Sequence, residues 1–178
     1  MDARLEKQFG QLQDTANALF QRLEGFTDVQ MNQPPKPEKW SAIQAMYHVM
    51  DAEQKSLMYL KKKTTSFDKE KAGKNGILEM CKSIALTAFL RSPIKVKAPK
   101  GVDTVPENMP FDELKASWLK SREEMRAFLA ALPQDTLEYN MYKHPLAGKL
   151  SIFQAINFLQ AHFNRHQKQI FDALQEAI

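Results

Sequence analysis

Between Ala3 and Glu24 the residues Leu5, Phe9, Leu12, Ala16, Leu19 and Leu23 recur at alternating steps of four and three. Only a helix gathers such positions onto one side, and a stripe that apolar must be buried against another element. Three further segments repeat the pattern. A helix is expected from Ala42 to about Lys63, with Ile43, Met46, Tyr47, Met50 and Leu57 on its apolar arc. Another is expected from Asp112 to about Leu132, where Leu114, Trp118, Met125, Phe128, Leu129 and Leu132 form the stripe. The last follows Ser151 and runs to the C-terminus, with Ile152, Ile156, Leu159, Phe163, Ile170 and Leu174 aligned. The punctuation agrees. Gly25 stops the first helix, three prolines in MNQPPKPEKW close the linker to helix, and Pro133 ends the third. Ser41 and Ser151 are good N-caps for the second and fourth.

Residues 64–110 break this regularity. Gly73, Asn75 and Gly76 interrupt the chain before a shorter helix expected from about Ile77 to Leu90. Pro93, Pro99, Gly101, Pro106 and Pro110 follow it, and IKVKAP reads as an extended stretch. QDTLEYNMYKHPLAGKL, between Pro133 and Ser151, reads as a loop. Short connections make neighbouring helices antiparallel, whereas a long one lets the third helix run parallel to the second. The expected fold is therefore all-α: an up-down-down-up four-helix bundle whose long crossover carries an extra short helix, in a single domain over residues 1–178.

Composition excludes some classes of function. Apolar residues at 43% and charged residues at 26% are ordinary for a soluble globular chain. The first twenty residues carry scattered charge and no apolar core, so they do not read as a signal peptide. No run approaches the roughly 20 apolar residues of a membrane helix. Cys81, the one cysteine, has no partner for an internal disulfide, which fits a reducing cytoplasm. Set among Ile77, Ile84 and Ala88, it reads as a small buried hydrophobe rather than a nucleophile. Between Lys61 and Lys100, eleven basic residues face three acidic ones, so +8 of the chain's net +4 lies there and the remainder carries −4. That segment lacks interleaved aromatics and any groove-reading motif, and reads as a solvated lysine-rich face rather than a nucleic-acid site. No membrane contact is expected either. Self-association through an exposed helix face is compatible with a bundle, though no residue fixes it.

The histidines supply the chemistry. His162 and His166 are four apart on the last helix, so both imidazoles sit on one face, one turn apart, beside the apolar stripe. His48 lies beside the apolar arc of the second helix, sharing its flank with Gln44, Asp51 and Lys55. A third imidazole from a facing helix would complete a three-histidine metal site with open positions. Periodicity does not show that His48 faces the other two, and a flank histidine can equally be hydrogen-bonded or solvated.

The segments PEKWSAIQAMYHVMDAE and KHPLAGKLSIFQAINFLQAHFNRHQKQI, about a hundred residues apart, resemble the DinB-like family. Its pattern matches Trp40, Ser41 and His48, then His144, Pro145 and Gly148, then His162, His166 and Gln169. LRSPIKVKAPKGVDTVPENMPFDELKASW is similar to the family's crossover, so the resemblance covers nearly the whole chain. It implies an up-down-down-up bundle in which His48, His162 and His166 bind a divalent metal ion, nickel or zinc. It also leans towards thiol chemistry, because relatives include transferases that use bacillithiol or mycothiol.

Other residues are read with two roles each. His144 is either an extra ligand or, as favoured, a structural hydrogen-bond partner of its loop. Asp51 is a partner of the site, an acid–base group, or a solvated surface carboxylate. Gln169 orients a bound water or contacts a neighbouring helix. Trp40, Trp118 and the methionines are expected in the core. The expected function is a divalent-metal-dependent thiol transferase or hydrolase acting on a small molecule in the cytoplasm. The alternative is a non-catalytic bundle that works through a partner surface and has a vestigial metal site.

Overall fold

The computed structural model describes residues 1–92, 94 and 104–175. It is mostly helical, with four long helices: α1 (Ala3–Leu23), α3 (Ala42–Thr65), α6 (Phe111–Ala131) and α7 (Ile152–Ala173). Three shorter ones lie between them: α2 (Asp28–Asn32), α4 (Lys69–Ala72) and α5 (Ile77–Arg91). The long helices start where their caps require. Ser41 and Ser151 each accept from the backbone N–H three residues on, while Gln44 and Gln154 reach back to the cap, forming capping boxes. The expected stripes are buried: Leu5, Leu12, Leu19, Ile43, Met46, Leu114, Trp118, Met125, Ile156 and Phe163 belong to one core cluster.

Contacts between helices order them. Along α1 and α7 the partners advance together, from Arg4 over the Phe153 ring, through Gln8 with Asn157, to Arg22 over Phe171. Along α1 and α6 they run in opposite senses, with Glu6 paired to Arg126 and Glu24 to Lys115. α3 and α6 advance together, Glu53 meeting Trp118 and Lys61 meeting Glu124. At the centre lies a buried ion pair. Arg122 donates from Nε and Nη2 to both oxygens of Glu53, at 3.0 and 2.7 Å, and Trp118 Nε1 donates to the same carboxylate at 2.7 Å.

Several expectations need correction. The chain is not purely α-helical. The stretch read as a loop holds a 3₁₀ turn (Gln134–Thr136) and a two-stranded antiparallel sheet of β1 (Asn140–His144) and β2 (Gly148–Ser151). Tyr142 pairs with Leu150 and His144 with Gly148, whose φ of +72° takes the turn through a conformation that favours glycine. Met141 and Leu150 bury themselves, so tertiary packing holds these strands where alternation is too short to announce them. The one-turn helices α2 and α4 are additional; α2 begins with a Thr27–Gln30 capping box and ends as the prolines arrive.

On α5 the expected buried face is turned outward. Leu86 and Leu90 face the core, whereas Ile77, Ile84 and Cys81 are exposed, so Cys81 is not a buried hydrophobe. The helix is apolar most of the way round, and periodicity therefore gave no guide to its inner side. Trp118 is core, but Trp40 is only partly buried, and Met58 and Met80 are exposed. Most of the IKVKAP stretch lies outside the described residues.

Candidate metal centre

Two capped helices bring the histidines together. The Ser41 cap sets the start of α3, and His48 follows nearly two turns in; the Ser151 cap does the same for α7, three turns before His162. Their crossing places His48 Nε2 3.2 Å from His162 Nε2, and one ring nitrogen from each of His48, His162 and His166 lies within 4.8 Å of the others. The rings meet at angles of 55° to 65°, with centroids 4.5–5.1 Å apart, so they converge edge-on rather than stack. His48 is buried, while His162 and His166 are partly exposed.

Burial and mutual repulsion keep His162 and His166 unprotonated. Burial is the main cause that drives His166 down to about 4, helped by His48 and opposed by its hydrogen bond to Gln169. Burial also pushes His162 well below the ordinary imidazole value, reinforced by His166 and His48. Gln169 accepts from His166 Nδ1 at 3.0 Å, which fixes the tautomer and leaves the Nε2 lone pair free to bind.

These residues fit a divalent ion. Two nitrogens each ~2.0–2.1 Å from one tetrahedral ion would stand about 3.3–3.4 Å apart, close to the 3.2 Å seen between His48 and His162. At 3.2 Å the facing nitrogens of His48 and His162 repel unless a cation or a shared proton lies between them. One feature is incomplete: among the described residues His162 Nδ1 is buried without a hydrogen-bond partner, whereas His166 has one in Gln169. Gln169, expected to orient a bound water or contact a neighbouring helix, is instead bonded to the His166 ring one turn back on its own helix.

The other expected residues fall into two groups. Asp51 is mostly buried and ion-paired with Lys55, one turn further along α3. His144 is not in the cluster. It sits at the end of β1, its Nδ1 accepting from the Leu146 and Ala147 backbone N–H groups at 3.1 and 3.2 Å, which is the structural role favoured from sequence. Burial lowers it to about 4.

An aromatic wall beside the cluster escaped sequence reading. Trp40 packs on His48 with centroids 5.0 Å apart. Phe158, one turn before His162, lies between it and His144, and it also stacks on Tyr142. The Tyr142 hydroxyl is 2.9 Å from that of Ser56, and burial raises its pKa. The i, i+4 step from Phe158 to His162 was the available signal; the hairpin that brings Tyr142 alongside was not. Arg165 anchors the far side. Its guanidinium donates to the carbonyls of Leu90 and Ser92, tying the end of α5 to the helix that bears His162 and His166.

Comparison with known proteins finds a family match over most of the chain. The model of the DinB superfamily matches residues 11–170. The uncharacterised protein YuaE of Bacillus subtilis is 24% identical over 148 residues, which is 83% of this chain and 85% of that protein. No solved structure matches.

Proposed function

The chain belongs to the DinB superfamily, and we propose that it is a divalent-metal-dependent enzyme, a transferase of a low-molecular-weight thiol or a hydrolase. The observation that supports this is the convergence of three ring nitrogens, from two helices, within 4.8 Å. His48, His162 and His166 are the proposed ligands and nickel or zinc the proposed ion, on a frame we read as an up-down-down-up bundle from the order of its cross-helix contacts. Held by three neutral imidazoles, the ion would keep its full charge and make a water or thiol in its open positions acidic enough to react near neutral pH.

The chain's own residues have separate tasks. Gln169 orients His166. Burial keeps His162 and His166 unprotonated, and thus able to bind, throughout the neutral range. Trp40 and Phe158 exclude water from two sides of the cluster. Asp51, one turn beyond His48 and backed by Lys55, is the carboxylate proposed to move protons at the edge of the site.

A small-molecule substrate in a cytoplasmic setting is favoured over a polyanion. Lys61, Lys69, Lys71 and Lys74 of the basic segment are each paired with a carboxylate, which breaks up its field. Among the described residues no helix is long and apolar enough to cross a membrane.

Nickel- or zinc-loaded protein should be assayed for consumption of a small thiol with an alkylating electrophile, beside hydrolysis of activated esters. Turnover in one assay, removed by chelation and by His166→Ala, is the expected result. A loaded, folded protein inert in both would favour the alternative, a bundle acting through a partner surface.

A further inference from the structure

We propose that His144 binds the substrate: its Nε2–H is a fixed donor for a carbonyl or carboxylate oxygen at the far end of a small molecule. The reacting end of that molecule lies at the three-histidine cluster, so the proposal rests on the reading of the cluster as the reaction site.

The hairpin decides where the ring carries its proton. His144 Nδ1 takes two hydrogen bonds, from the backbone N–H groups of Leu146 and Ala147. A backbone amide nitrogen only donates, so Nδ1 is the accepting nitrogen and the neutral ring holds its proton on Nε2. Pairing with Gly148 fixes the backbone beneath the ring, and the donor is therefore set before any ligand arrives.

The Nε2–H itself is unused. Among the described residues no acceptor meets it, and it is not one of the buried polar atoms left without a partner, so it reaches solvent. A histidine with a purely structural role would have both nitrogens satisfied within the fold. Here Nδ1 serves the turn and Nε2 is left for a ligand.

Its position relates it to the cluster. The Phe158 ring lies 4.4 Å from the His144 ring and 5.7 Å from the His162 ring, centroid to centroid. A charge on His144 is felt at His162, where it would lower the pKa. One aromatic side chain thus separates the donor from the metal ligands, and a substrate passing the edge of Phe158 reaches both. The chemistry of the donor selects the group. A single neutral N–H suits an acyl oxygen, offers nothing to an ammonium group, and lacks the charge that phosphate recognition draws on.

The test is a long-range proton–nitrogen correlation spectrum of the isotope-labelled, zinc-loaded full chain. His144 should show the Nε2–H tautomer, and its signal should move on titration with acetate or acetamide but not with methylammonium. A shift with acetate alone assigns the donor to a carboxylate, and a shift with both assigns it to any acyl oxygen. His144→Asn keeps an acceptor for the turn amides and removes the Nε2–H. Acetate affinity, read from neighbouring backbone amides, should then fall roughly 2- to 10-fold with helical circular dichroism and zinc content unchanged. A His144 signal that ignores both acyl probes would overturn the proposal, and so would an acetate affinity that the variant retains. Zinc content reads the cluster separately: a chain that takes up no zinc contradicts the metal reading, while the same titration of the metal-free chain still decides the role of His144.

Discussion

Gln169 and His144 show how single residues set the state of a ring. Gln169 holds the His166 tautomer through one hydrogen bond. Gln169→Leu should leave the fold intact and weaken nickel or zinc binding by ~10–100-fold in a chelator competition, the usual cost of losing such a partner; unchanged affinity would remove its positioning role. His144 acts on stability instead. Its folded pKa of about 4 lies below the value of ~6.5 expected unfolded, so the unfolded chain binds the extra proton between those two values. Its contribution is complete above pH ~6.5 and is lost as pH falls towards 4, up to roughly 3 kcal/mol. His144→Asn keeps an acceptor for the two turn amides but cannot titrate. Its urea midpoint should fall less than the native protein's between pH 7 and 4.5, and equal falls would contradict this. At this scale the sequence was informative: the i, i+4 histidines, the third histidine after a capped helix start and the histidine before Pro145 were all visible. The facing of His48 was not, since a periodicity reports one helix and says nothing about its neighbour's rotation.

Helix starts were the most legible elements. Ser41 and Ser151 announce α3 and α7 through cap chemistry that is local in sequence, and both helices begin where that chemistry requires. Because α7 carries His162 and His166, its cap also holds part of the site. Ser151→Ala should cost about 1 kcal/mol in chemical denaturation, and an unmoved midpoint would mean that the buried hairpin, not the cap, sets the start of α7. Elements fixed by distant packing were harder to read. Strands β1 and β2 are too short for alternation to register, and they form because Met141 and Leu150 find a core supplied by helices elsewhere in the chain. α5 was visible as a helix but not as to which face is buried, because apolar residues surround it.

Across the whole molecule, the Glu53–Arg122 pair links α3 and α6 inside the core, with Trp118 and the Leu12 carbonyl completing its hydrogen bonds. In the sequence both charges look like ordinary surface residues; burial, which depends on the assembled bundle, gives them their role. Arg122→Met leaves a carboxylate buried and unpaired and should cost ~3–5 kcal/mol, while the double variant Glu53→Met/Arg122→Met should recover much of that. A double variant as unstable as the single one would show that the pair does more than satisfy itself. The same assembly aligns α3 and α7 so that three histidines from distant parts of the chain share one point, and this convergence is the central claim. The direct test is elemental mass spectrometry of tag-free protein beside His48→Ala/His162→Ala. About one nickel or zinc ion per native chain, absent from a variant with unchanged helical circular dichroism, is the expected result. Native protein that takes up neither ion, even after incubation with both, would contradict it.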